Sequence, residues 1–197
     1  MFPRWAGGEV GSAMGTLLQR IIRLPWWLVC FLRCWFFYKP PTYDPAKWNT
    51  DPNVQGCNNC YNYACDIETD NFAQPGYATG HEYTYPPDCP GVTNGALSDG
   101  LTTGPSATGG ATDPCGRCSH KVALVIAPGP GFFDFHWYRL DDNGMWSHKP
   151  GGGTARNYDN SGNPISDPRT ADRGPYTIFC GFMCVCKCNV TIKGPLC

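Results

Sequence analysis

The chain has 197 residues, a formal net charge of −1 and 42% apolar side chains, which is enough for one domain with a core and appendages. A net charge so close to zero gives no electrostatic reason to expect nucleic acid as a partner. With 24 glycines and 19 prolines the chain favours loops over helix, and its 13 cysteines require disulfides in an oxidising compartment, or metal or catalysis in a reducing one.

Residues 1–42 read as an N-terminal extension. Arg4, Arg20, Arg23, Arg33 and Lys39 stand against the single acid Glu9. The apolar run LPWWLVCFLRCWFFY at 24–38 is interrupted by Arg33 and falls short of the roughly 20 residues that cross a bilayer. It suits an export signal without an obvious cleavage site, or a segment whose aromatics make peripheral membrane contact, or a poorly ordered extension. A secreted or membrane-associated protein is expected.

The domain proper occupies 43–197. One short helix is expected within 57–72, with Asn58 or Asn59 as its N-cap. Residues 86–119, rich in Gly, Pro, Ser and Thr, form a long excursion with one short helix at GALSDGL. KVALVIA (121–127) reads as a buried strand and FFDFHWYRL (132–140) as an aromatic, alternating one. Asn143-Gly144 marks a tight hairpin from which MWSHK returns. After a Gly/Pro/Asp-rich connection over 150–175, YTIFCGFMCVCKC (176–188) supplies a final core strand. The expected architecture is α+β: a short helix packed on a curled antiparallel β-sheet, rich in loops.

Cys60 lies where the expected helix begins, a setting that lowers a thiol pKa. Its backbone N–H and the Gln55 side chain would make an oxyanion hole. His136 on the aromatic strand would serve as base, and His148, across the hairpin, would orient its ring. Plainer readings stand beside these: His136, between Phe135 and Trp137, as a core histidine, and His148 as an exposed strand end. His120 is a spare candidate for the base, and His81 reads as surface.

QGCNNCYNYA resembles the nucleophile segment of papain-like cysteine peptidases, and the later histidines follow the order of the related NlpC/P60 peptidases. The resemblance matches Gln55 to the oxyanion glutamine, Cys57 to a disulfide cysteine, Cys60 to the nucleophile and Tyr61 to the aromatic after it. Residues 57–60 depart from the family's Cys-Gly-Ser-Cys, and His148 stands where papain-like enzymes carry asparagine. The resemblance implies a papain-like or NlpC-like fold and a thiol hydrolase with a Cys60–His136–His148 triad. Its substrate would be the amide bonds of a peptide or peptidoglycan-like molecule, with no cofactor.

Two non-catalytic readings compete. One is a secreted, disulfide-stapled binding or toxin-like module. The other is a zinc-stabilised protein using Cys57, Cys60, Cys115 and Cys118, two CxxC pairs set further apart than the roughly 15 to 20 residues of compact zinc ribbons. Cys184, Cys186 and Cys188 alternate, so bridges to other segments, or buried thiols, are expected rather than bonds among themselves. Asn189-Val190-Thr191 is a glycosylation sequon, meaningful if the chain is exported.

Overall fold

A computed structural model describes residues 26–103 and 109–197. The chain divides into two units, residues 1–37 and 38–197. In the first, α1 spans Trp26–Phe37, 12 residues. The arginines at 4, 20 and 23 lie outside the described residues. Among the described residues, no helix is long and apolar enough to cross a membrane.

The second unit opens with two short helices built alike. In α2 (Pro45–Asn49) and α3 (Pro52–Cys57) an aspartate caps the N-terminus and proline takes the first helical position. Asp44 accepts from the Lys47 N–H and Asp51 from the Asn53 N–H, so an orphan donor is satisfied where proline already fits the helical φ.

The next helix, α4 (Cys60–Cys65), starts at Asn59 with a full capping box. The Asn59 side chain accepts from the Tyr61 and Asn62 N–H groups, and Asn62 answers from the third position. It is shorter than the expected 57–72 because Asp66 adopts a left-handed φ of 54° and closes it. Asn58 then fastens the following loop: its side-chain oxygen accepts from Thr69 and Asp70 N–H groups, and its amide donates to Val54 O and Asp70 Oδ1. All six residues of α4 are buried.

A 3-10 turn at Tyr77–Thr79 leads to α5 (Cys89–Ser98), capped by Asp88 and starting earlier than GALSDGL suggested. Asp99, at the end of α5, accepts from the Tyr61 hydroxyl at 3.0 Å and the Gly76 N–H at 2.8 Å, tying α4, the 3-10 turn and α5 together.

The strands are β1 (His120–Pro128), β2 (Phe133–Leu140), β3 (Trp146–His148) and β4 (Ile178–Val185). They form an open antiparallel sheet in the order β3-β2-β1-β4. Alternation divides its two faces. On one, Val122, Leu124, Ile126, Phe135, Trp137, Met183 and Val185 pack beneath α4 and α5. On the other, Ala123, Val125, Tyr138, Trp146 and Phe182 pack against Ile165 from the 150–177 connection. That connection also pairs with β3 through Trp146–Ile165 and His148–Arg156 bridges, so the short edge strand is covered. The protein is thus α+β, loop-rich, with a four-stranded sheet that does not close.

Covalent ties span the unit. Cys57 bonds Cys197, Cys89 bonds Cys180 and Cys115 bonds Cys184, at sequence separations of 140, 91 and 69. Cys30, Cys34, Cys118 and Cys188 are disulfide-bonded as well. Cys60, Cys65 and Cys186 remain thiols. The C-terminal segment runs along residues 71–74: Lys193 O accepts from the Gln74 N–H, and Asn71 bridges Leu196. A Cβ at position 194 would fall 1.8 Å from Phe72 O, so only glycine permits this approach.

Candidate functional site

The Cys60 thiol is set at the first turn of α4 and buried against β2, with its sulfur 4.0 Å from Phe135 O. Burial, reinforced by the neighbouring Asp134 carboxylate, pushes the thiol up to about 12. A reactive cysteine needs the reverse, a partly exposed and electropositive setting. Cys65, at the other end of α4, is likewise raised by burial and is equally enclosed.

His136 and His148 do meet. Their Nε2 and Nδ1 atoms are 2.7 Å apart, because the register pairs Tyr138 with His148 and leaves His136 one diagonal step away. Both rings take the face of the sheet that carries Tyr138. His136 packs edge-on to Tyr138 with centroids 5.0 Å apart, and His148 stacks on it at 4.8 Å. Phe135 and Trp137, the strand neighbours of His136, point to the opposite face, into the cluster that contains Cys60. Burial, with His148 and Arg156 alongside, holds His136 well below the usual imidazole range. Burial brings His148 to about 4, and its Nε2 lies 3.1 Å from both Tyr158 O and Arg156 Nε.

Cys60 and His136 border one cleft of about 270 Å³, together with Asn59, Gln74, Asp134 and Tyr176. Its polar groups largely satisfy each other. The Tyr176 hydroxyl donates to Asp134 Oδ2 at 2.7 Å, and the Tyr83 hydroxyl donates to Gln74 Oε1 at 3.0 Å. Gln55 sits in α3, where its backbone carbonyl accepts from Lys149 Nζ. Lys149 is fully buried and also donates to the carbonyls of Asn58 and Gly151. Burial lowers it to about 8.

This lysine went unnoticed in the sequence, because SHKP before a glycine turn reads as solvent-facing. It is buried because the loops around α3 and Gly151 close over it. Asp134 and Tyr176 were missed as well. Only the fold shows that Tyr176, just before β4, reaches Asp134 on β2. His120 is buried with Nε2 2.7 Å from Ala64 O, while His81 is exposed.

Three of the four sulfurs considered for zinc are engaged in disulfides. Cys57 and Cys115 bond Cys197 and Cys184, Cys118 is disulfide-bonded, and Cys60 alone keeps a thiol. Cys184 and Cys188 bridge rather than pack as thiols, and Cys186 lies past the end of β4, in a turn.

Three buried, neutral histidines give the fold a defined acid limit. His120 and His148 are held near 4 against an ordinary 6.5, and His136 is lowered too. As pH falls, the unfolded chain takes up these protons before the folded one does. The stabilisation is therefore whole above pH 6.5 and is lost progressively toward pH 4. For His120 and His148 the shift corresponds to on the order of 3 kcal/mol each at most. Thermal melts should show Tm level from pH 8 to about 7 and falling steeply from about 6 to 4. A His120→Gln variant should start less stable and fall less over that acid range.

No protein-family model and no solved structure matches the chain. A search of curated proteins does find a relative, insoluble matrix shell protein 1 of Ruditapes philippinarum. The two are 49% identical over 142 residues, covering 72% of this chain and 87% of the relative. The chain belongs to the family of that protein.

Membership overturns the expected thiol hydrolase. The relative is named as an insoluble matrix shell protein, and the Cys60 environment agrees with the correction because it suppresses the thiolate that a cysteine peptidase requires. What looked like a nucleophile's helix start is a well-capped core helix.

Proposed function

We propose that the protein is a secreted, non-catalytic structural component of an extracellular organic matrix of the shell-matrix kind. The observation that carries this reading is 49% identity to a shell matrix protein across most of both chains. Three long-range disulfides, with further bonded cysteines, support it, since such bridges persist outside the cell and stabilise a loop-rich chain there. Its role is mechanical: a stiff module whose loops are held by covalent ties.

The test is extraction of the source organism's extracellular matrix. After removal of mineral with acid, peptides of this chain are expected in the insoluble residue, identified by mass spectrometry. Recovery only from soluble cytosolic extracts would overturn the reading. A chemical counterpart uses iodoacetamide at neutral pH on the folded protein. Half-exposed Cys186 should label first, with Cys60 and Cys65 labelling only on unfolding. Selective labelling of Cys60 would count against a non-catalytic role.

We also infer papain-like ancestry for the scaffold. A cysteine opening a helix that packs on β2, and two histidines bonded across the following hairpin, support it. In this reading the constellation persists as packing after the loss of chemistry.

A further inference from the structure

We propose that Asn189 carries an N-linked glycan, a proposal that rests on the extracellular reading above. Asn189-Val190-Thr191 is the one Asn-x-Ser/Thr triplet in the sequence with a residue other than proline at its centre. Such a triplet is an acceptor only where the asparagine amide and the hydroxyl two residues on can be reached together.

The structure presents both. β4 ends at Val185 and the chain turns through residues 187–189, with the Asn189 N–H donating to Cys186 O at 2.8 Å. Beyond the turn the side chains alternate between solvent and core. Val190 and Ile192 are buried in the main core, 8% and 5% exposed, while Asn189 and Thr191 face solvent. The Thr191 N–H donates to Asp99 O at 2.9 Å, which fixes the register of this alternation. A one-residue slip would bury the threonine and expose the two aliphatics. The core packing that orders the segment therefore also displays the acceptor. No core contact is lost when Asn189 is modified, because its side chain contributes none to either face of the sheet.

The donor is an oligosaccharide joined through a diphosphate to a polyisoprenoid lipid. The Asn189 Nδ2 forms a bond to the sugar's anomeric carbon as the bond from that carbon to the phosphate oxygen breaks. The lipid diphosphate leaves with the electron pair, and the amide proton passes to a base of the transferase. Oxidation states do not change.

The full chain is expressed in a eukaryotic secretory cell line in two forms, one with its own N-terminus and one behind a cleavable signal peptide. The secreted protein should migrate slower than expected and gain a single step of mobility on treatment with peptide N-glycosidase. Asn189→Gln and Thr191→Val should abolish the step, and Thr191→Ser should keep it. Peptide mapping after digestion should find aspartate in place of asparagine at position 189. Secreted protein that carries unmodified Asn189 behind the signal peptide overturns this proposal alone. If only the signal-peptide form is exported and glycosylated, the site stands, and the extracellular reading is decided separately by the matrix extraction above. Asn189→Gln should leave the melting temperature of enzymatically deglycosylated protein unchanged, so loss of the step is not a folding effect.

Discussion

Arg139→Met destabilises the fold by about 3 to 5 kcal/mol, the cost of removing one partner from a buried ion pair. Arg139 and Asp141 side chains are each 1% exposed, with Arg139 Nη2 2.9 Å from Asp141 Oδ1. The guanidinium also donates to the Tyr63 hydroxyl at 3.0 Å and to Thr42 O at 3.2 Å, and lies 4.1 Å over the Tyr63 ring. Methionine fills part of the space but leaves a carboxylate in the interior without a counter-charge. Burial already raises Asp141, and Arg139, together with Ser147, offsets part of that rise. Two further outcomes separate charge from packing. Arg139→Met with Asp141→Asn should recover a substantial part of the loss. The single variant's deficit should also narrow as pH falls and the raised Asp141 carboxyl takes up a proton. Urea unfolding at two pH values measures both, and equal deficits in single and double variants would refute the buried-charge account.

Opening the Cys57–Cys197 disulfide has an effect of similar size. It closes a loop of 140 residues, for which the chain-entropy model gives a stabilisation of about 4 to 5 kcal/mol. For a unit of this size that is roughly 10 to 15 °C in Tm. Cys57→Ser, Cys197→Ser and the double variant should all fall by the same amount, because each removes the same single bond. Cys186→Ser is the control. It removes a half-exposed thiol that joins no disulfide, and should move Tm by a degree or two at most. A double variant markedly worse than either single one would show that the cysteines contribute separately, not as a pair.

The sheet was legible because its signals are local. The apolar run at 121–127, the alternation at 132–140 and the Asn143-Gly144 turn specify strand, strand and hairpin without reference to the rest of the chain, and β1 to β3 lie where those signals put them. The cap at Asn59 was legible for the same reason, and the disulfide at Cys57 was expected from the resemblance of QGCNNCYNYA. The stop at Asp66 was not, since a left-handed aspartate is selected by the tertiary contacts of Lys47, Lys187 and Arg139 with its carboxylate. The Asp-Pro starts of α2 and α3 were readable but passed over. At the site, the meeting of His136 and His148 followed from hairpin geometry. The character of the Cys60 thiol did not, because it depends on what buries it. A helix start preceded by asparagines looks alike in sequence whether its cysteine faces a groove or lies sealed against Phe135.

The bond from Cys57 to the terminal Cys197 encloses the other two mapped bridges, which interleave: Cys115 falls between Cys89 and Cys180, and Cys184 falls outside them. A single backbone break anywhere between residues 57 and 197 therefore releases no fragment, since the two ends remain joined through the outer bridge. Slow hydrolysis or an occasional protease will in time cut any long-lived chain. This linkage makes the first such cut harmless to the continuity of the chain, so a singly nicked molecule keeps its whole mass.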